Sequence, residues 1–84
     1  MDLLSIEQRL VAGEELKVKY QYPIENPDGR SARHGVRTDK LLDVSVELNR
    51  FYTKFRGEKP IWVDIEEVIE ITPDDGVYEE FKPQ

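Results

Sequence analysis

Between Arg30 and Lys59 the chain carries eight basic side chains against four acidic ones, with Phe51 and Tyr52 standing among them. Cations interleaved with aromatic rings can contact phosphates while the rings stack on bases. Arg30, Arg33, Arg37, Arg50, Tyr52, Lys54 and Arg56 are therefore candidate partner-binding residues. Trp62 joins them because large aromatic side chains dominate interface hot spots. Alternation sets Trp62 on the face opposite Ile61, Val63 and Ile65. A sheet that closes around both faces makes it core, which is the expectation adopted. The bland alternative for the cations is pairing with the chain's own eighteen carboxylates.

Other chemistry finds less support. A nucleophile needs a general base beside it, and the single histidine, His34, sits in a polar stretch between Arg33 and Gly35 with no apolar wall. It reads as a solvated loop residue. Asp64, Glu66, Glu67 and Glu70 supply carboxylates, but a hard cation needs about six oxygens converging from a loop, and this run has no such spacing. Ser5, Ser31 and Ser45 stand outside any nucleophile-elbow context, and no glycine-rich phosphate cradle is present. The expectation is no catalytic residue, no cofactor and no metal.

The sign of the charge changes along the chain. A net −6 divides into an acidic first third, the basic middle, and a C-terminal stretch from residue 60 with eight acids against Lys82 alone. A net negative charge repels polyanions at long range unless the acidic ends point away. It also admits the opposite reading, in which Glu66, Glu67, Glu70, Asp74, Asp75, Glu79 and Glu80 stand where a partner expects phosphates.

These groups need elements to hold them. With 84 residues and no cysteine, one domain with a purely apolar core is expected. Leu3, Leu4, Ile6, Leu10 and Val11 recur at helical spacing between Asp2, a good N-cap, and Gly13, a good helix stop, which predicts a helix over residues 3–12. The period then drops to two: Leu16, Val18, Tyr20 and Tyr22 predict a strand ended by Pro23. Asn26-Pro27-Asp28-Gly29 is turn chemistry, so residues 23–33 read as a loop. His34, Val36 and Thr38, then Leu42, Val44, Val46 and Leu48, predict a strand with a bend or bulge near 39–41. Asn49-Arg50 turns into a strand whose Phe51, Thr53 and Phe55 share a face. Gly57 to Pro60 turns again into Ile61 to Ile65, and a short helical turn at Glu66-Glu67 leads to Val68, Ile69 and Ile71. The folded domain spans 1–73, closed by Pro73 to Gly76, and 74–84 form an acidic tail. One helix and four or five short strands suggest a strongly bent sheet closing into a small barrel, with the helix capping one end.

Two stretches resemble known families. Glu7 to Tyr22, with Gly13, Leu16, Val18 and Tyr20 in a G-x-x-L-x-V-x-Y step, is similar to the helix-to-strand opening of YolD-like and WYL-domain proteins. Gly35-Val36, Asn49 to Phe55 and Ile61 to Ile71 resemble their closing strands, although the Trp-Tyr-Leu triplet that names the WYL domain is missing. The resemblance implies a five-stranded Sm-like β-barrel and a regulatory or adaptor module that binds nucleic acid, nucleotide or protein.

The functional expectation is a non-enzymatic regulatory or adaptor protein whose macromolecular partner is another protein. One alternative is nucleic-acid binding through the basic middle. The other is an acidic, phage-type nucleic-acid mimic that inhibits a host or partner enzyme. No apolar run reaches the roughly 18 residues needed to cross a bilayer and the N-terminus lacks a secretory pattern, so a cytoplasmic protein without membrane contact is expected. A homo-oligomer formed by strand pairing is left open.

Overall fold

Asp2 starts the helix by accepting from the Leu4 and Ser5 amides at 3.1 and 3.4 Å, which satisfies two of the donors a helix start leaves free. The computed structural model describes residues 2–24, 33–55 and 57–81. Helix α1 (Leu3–Val11) ends at Gly13, whose φ of 92° suits glycine, and it buries Leu3 and Ile6 with Leu10 behind them. Leu4 and Val11 lie off that stripe and are exposed.

Among the described residues six strands follow: β1 (Leu16–Ile24), β2 (Arg33–Ser45), β3 (Arg50–Lys54), β4 (Ile61–Asp64), β5 (Val68–Pro73) and β6 (Glu80–Phe81). All pairings are antiparallel, in the order β4-β3-β2-β1-β5, with β6 added to β2. The protein is thus mostly β with one N-terminal helix. The expected count of five strands is corrected to six, because thirteen-residue β2 is long enough to pair β3 along its second half and β6 at Val36 and Arg37. No ladder joins β4 to β5, so among the described residues the sheet is open. A 3-10 turn at Ile65–Glu67 links these two end strands in sequence.

Three sequence expectations shift. Pro23 does not end β1, which continues to Ile24 opposite His34 and Arg33. Beyond Tyr20, β5 no longer pairs with β1, and an open edge tolerates proline. His34 accordingly sits in β2 rather than in a loop, exposed as expected. The predicted irregularity in β2 falls between Leu41 and Asp43. This bulge keeps Leu41 and Val44 both inside and turns Leu42 out, while Val46 and Leu48 are exposed because β2 ends at Ser45 and they lie in the turn that follows. The turn Asn26 to Gly29 lies outside the described residues.

The core is one cluster: Leu3 and Ile6 of α1 against Leu16, Val18, Tyr20, Leu41, Val44 and Phe51. Phe51, Thr53 and Phe55 share a buried face as the alternation predicts. After β5, residues 74–79 do not trail away. They cross from the β5 side, over Lys17 of β1, to the edge of β2, where β6 pairs.

Candidate functional site

Two clusters of polar and aromatic side chains stand out, one on each side of the sheet. The inner one arises from two i, i+2 pairs: Tyr20 and Tyr22 on β1, and Arg37 and Asp39 on β2. Residues two apart share a strand face, and the register sets Tyr20 opposite Arg37 and Val18 opposite Asp39. The Tyr20 hydroxyl donates to Asp39 Oδ2, and Arg37 Nε donates to the Tyr20 oxygen at 2.6 Å and lies 3.5 Å from Asp39 Oδ2. Asp39 is wholly buried, at 0% exposure, and its Oδ1 has no hydrogen-bond partner. The nearby Thr53 hydroxyl gives its proton to the Lys40 carbonyl at 2.8 Å.

Aromatic rings pack around the guanidinium. Arg37 lies 4.7 Å from the Tyr22 centroid, 4.9 Å from Phe55 and 5.5 Å from Tyr20, a cation–π arrangement with its outer side reaching Glu58 at 3.5 Å. Tyr20 in turn meets Phe51 edge-on at 5.4 Å. Burial pushes the Asp39 carboxyl above its ordinary 3.8, against the opposing pull of the Tyr20 hydroxyl and the Arg37 charge. Burial and the Asp39 carboxylate raise the Tyr20 hydroxyl far above its usual range. Tyr22 is pushed up to about 12 by burial and by the Glu80 carboxylate that accepts its proton. Both phenols are therefore fixed as protonated hydrogen-bond donors. The cluster holds a buried ion pair in one geometry and offers no activated nucleophile.

The outer cluster comes from the β3–β4 ladder. Tyr52 pairs with Trp62 and Arg50 with Asp64, so all four share the outward face. The two rings pack at 4.7 Å between centroids, and Arg50 Nε donates to Asp64 Oδ1 at 3.3 Å. Trp62 is 47% exposed, which corrects the expectation of a core tryptophan. The physical reason is the open sheet: β4 is an end strand paired only with β3, and nothing among the described residues covers its outer face. Ile61, on the inner side of β4 near its start, is also exposed. The β2 bulge adds Leu42 and Asp43 opposite Tyr52.

The predicted partner-binding set thus separates. Arg50, Tyr52, Lys54 and Trp62 come together on the outer face of β3 and β4. Arg37 does not join them: its side chain is 11% exposed and belongs to the inner network. Arg30 and Arg56 lie outside the described residues, as does the side chain of Arg33. The sequence reading missed Tyr20, Tyr22 and Asp39. The two i, i+2 pairs were visible, but only the strand register shows that they meet. Asp64, Glu66, Glu67 and Glu70 do not converge, and among the described residues no group of three metal-ligating side chains does. Compared with known proteins, the chain matches no family model, no curated protein and no solved structure.

Proposed function

We propose that this chain is a non-enzymatic regulatory or adaptor protein that binds another protein through the outer face of β3 and β4. The observation that carries the reading is the Tyr52–Trp62 pair, packed at 4.7 Å between β3 and the end strand β4, with Trp62 half exposed. Tryptophan, tyrosine and arginine are the residues most enriched at interface hot spots, and Arg50 flanks the rings. Leu42 at 39% exposure extends the apolar surface. The strand order and the 3-10 turn between β4 and β5 support a small Sm-like barrel as the underlying architecture. A cytoplasmic setting goes with this reading, and no described helix is long and apolar enough to cross a membrane.

Nucleic-acid binding loses support from the charges around the rings. Arg50 pairs with Asp64, Lys40 lies 3.9 Å from Glu15, Lys19 stands opposite Glu70, Asp43 stands opposite Tyr52, and Arg37 is buried. A face of balanced sign lacks the electrostatic attraction that dominates phosphate binding.

The experiment compares native-lysate capture by the wild-type chain with capture by Trp62→Ala and Tyr52→Ala. A partner protein retained by the wild type and weakened at least about tenfold by Trp62→Ala supports the reading. Equal retention by the variant refutes it, as does the lack of any retained protein. Titration of single- and double-stranded nucleic acid at about 50 mM salt, where electrostatic binding is exaggerated, tests the alternative.

A further inference from the structure

The acidic segment 74–81 is seated on the molecule like a bound peptide. It crosses β1 with Asp75 Oδ1 accepting from Lys17 Nζ at 2.9 Å, and the Val77 carbonyl lies 3.4 Å from the same ammonium. It then runs along the edge of β2 left vacant below β3. There the Thr38 amide donates to the Glu79 carbonyl at 2.8 Å, and the Glu79 amide donates back to the Thr38 hydroxyl at 3.0 Å. Phe81 pairs opposite Val36, and Glu80 opposite Arg37 accepts from Tyr22. These are the contacts of an added edge strand, in which main-chain bonds give affinity and alternate side chains give specificity.

Beside the strap a groove of about 160 Å³ remains, lined by Lys17, Lys19, Thr38 and Glu70 of the sheet and by Glu79 and Phe81 of the strap itself. The strap is held by a two-residue ladder, the paired Thr38–Glu79 bonds, the Tyr22–Glu80 bond and an ion pair whose Asp75 side chain is 60% exposed. Lys17, Lys19 and Lys40 belong to the same strand-face set, since Lys17 pairs with Lys40 and Lys19 with Thr38. The face carries three lysines, with Glu70 opposite Lys19 and Glu15 3.9 Å from Lys40, and the strap is acidic.

We propose that the lysine-bearing face of β1 and the adjoining edge of β2 form a docking site for an extended acidic peptide of a partner protein, with an aromatic residue at its end. The chain's own residues 74–81 occupy this site as a displaceable intramolecular competitor. The strap supplies the template: a carboxylate for Lys17, backbone for Thr38 and an aromatic residue beside Val36. A tethered segment competes at an effective concentration of roughly millimolar, so the site stays shut to weak ligands and opens to a stronger one. This site lies on the same outer face of the sheet as Tyr52 and Trp62 but at its β1 side, where no contact among the described residues involves Trp62, and Trp62→Ala leaves it unchanged.

The test uses the full chain and a labelled synthetic peptide of residues 74–81. Asp75→Lys turns the strap's carboxylate into a repelling ammonium while the peptide keeps its own, so the peptide binds this variant at least about tenfold tighter than the wild type. Adding Lys17→Asp to Asp75→Lys restores an ion pair of opposite sense and removes the gain. Equal peptide affinity for Asp75→Lys and wild type overturns the proposal, and so does a gain that survives Lys17→Asp. Binding of a scrambled peptide or of oligothymidylate as tight as that of the native peptide overturns it too, since the face would then be a general polyanion surface. A second measurement needs no variant: in wild-type hydrogen exchange, the Thr38 amide exchanges at least about a hundredfold faster than the core amides of β1, because the strap opens locally. Protection of Thr38 equal to that of the core overturns a displaceable strap.

Discussion

Replacing Tyr20 with Phe removes one oxygen from the core and leaves the ring's edge-on packing against Phe51 in place. That oxygen donates to Asp39 and accepts from Arg37 at 2.6 Å. Hydrogen bonds to charged groups contribute about 1.5–3 kcal/mol each, and removing one partner also strands the other. Asp39 is already short of one partner at Oδ1 and would keep only the Arg37 contact at 3.5 Å. Breaking a buried pair outright costs about 3–5 kcal/mol, and here one member is retained. The expected loss is therefore about 3 kcal/mol, toward the low end of that range. With a urea slope of about 1 kcal/mol/M for a chain this small, the unfolding midpoint falls by about 3 M. The assay is urea unfolding followed by circular dichroism for wild type, Tyr20→Phe, Asp39→Asn and the double variant. Asp39→Asn removes the charge that Tyr20→Phe strands, so the double variant is more stable than the sum of single losses by at least about 1 kcal/mol. A Tyr20→Phe loss below about 0.5 kcal/mol, or strict additivity, refutes the claim that this hydroxyl holds a buried carboxylate.

Further predictions address pH, the helix start, one turn and the aromatic face. Asp39 has a folded-state pKa raised above 3.8, so its contribution to stability is fully present below that value and is lost as pH rises through the raised one. Denaturation across that window shows the slope in wild type and not in Asp39→Asn. Asp75, held below its ordinary value by Lys17, acts oppositely: its contribution is present above 3.8 and lost as pH falls through the lower folded value, a dependence that Asp75→Asn removes. Asp2→Ala leaves the Leu4 and Ser5 amides without their acceptor and costs about 1 kcal/mol, read as a lower Tm. Asn49 adopts φ of 53° in the turn before β3, so Asn49→Ala destabilises by about 1 kcal/mol while Asn49→Gly is tolerated, as thermal melts of the pair would show. Trp62→Ala changes the unfolding midpoint little, since the ring packs mainly on Tyr52 at the surface, and it removes partner binding.

Local patterns determined much of this protein. Asp2 and Gly13 bound α1 because caps act within one helical turn. Period-two alternation placed Leu16, Val18 and Tyr20 together on one face of β1, and Phe51 and Thr53 with the following Phe55 on one face of β3, because neighbouring strand residues point to opposite sides. The positive-φ glycines at 13, 57 and 76 each fall at a helix end or turn anticipated from composition. The 3-10 turn between β4 and β5 was legible from Glu66-Glu67 interrupting two apolar groups.

What required the tertiary structure was every property that depends on which strands meet. The bulge at Leu41–Asp43 shifts the register by one residue and sends Leu42 outward, a reversal that no alternation count contains. Trp62 is exposed because β4 ends the sheet, and strand order is a long-range fact. Arg37 looked like one more cation in a basic stretch. Its position opposite Tyr20, two residues from Asp39, makes it half of a buried ion pair instead. The acidic tail likewise gained a role only through its seat on Lys17 and Thr38, because an edge strand is defined by the strand it joins.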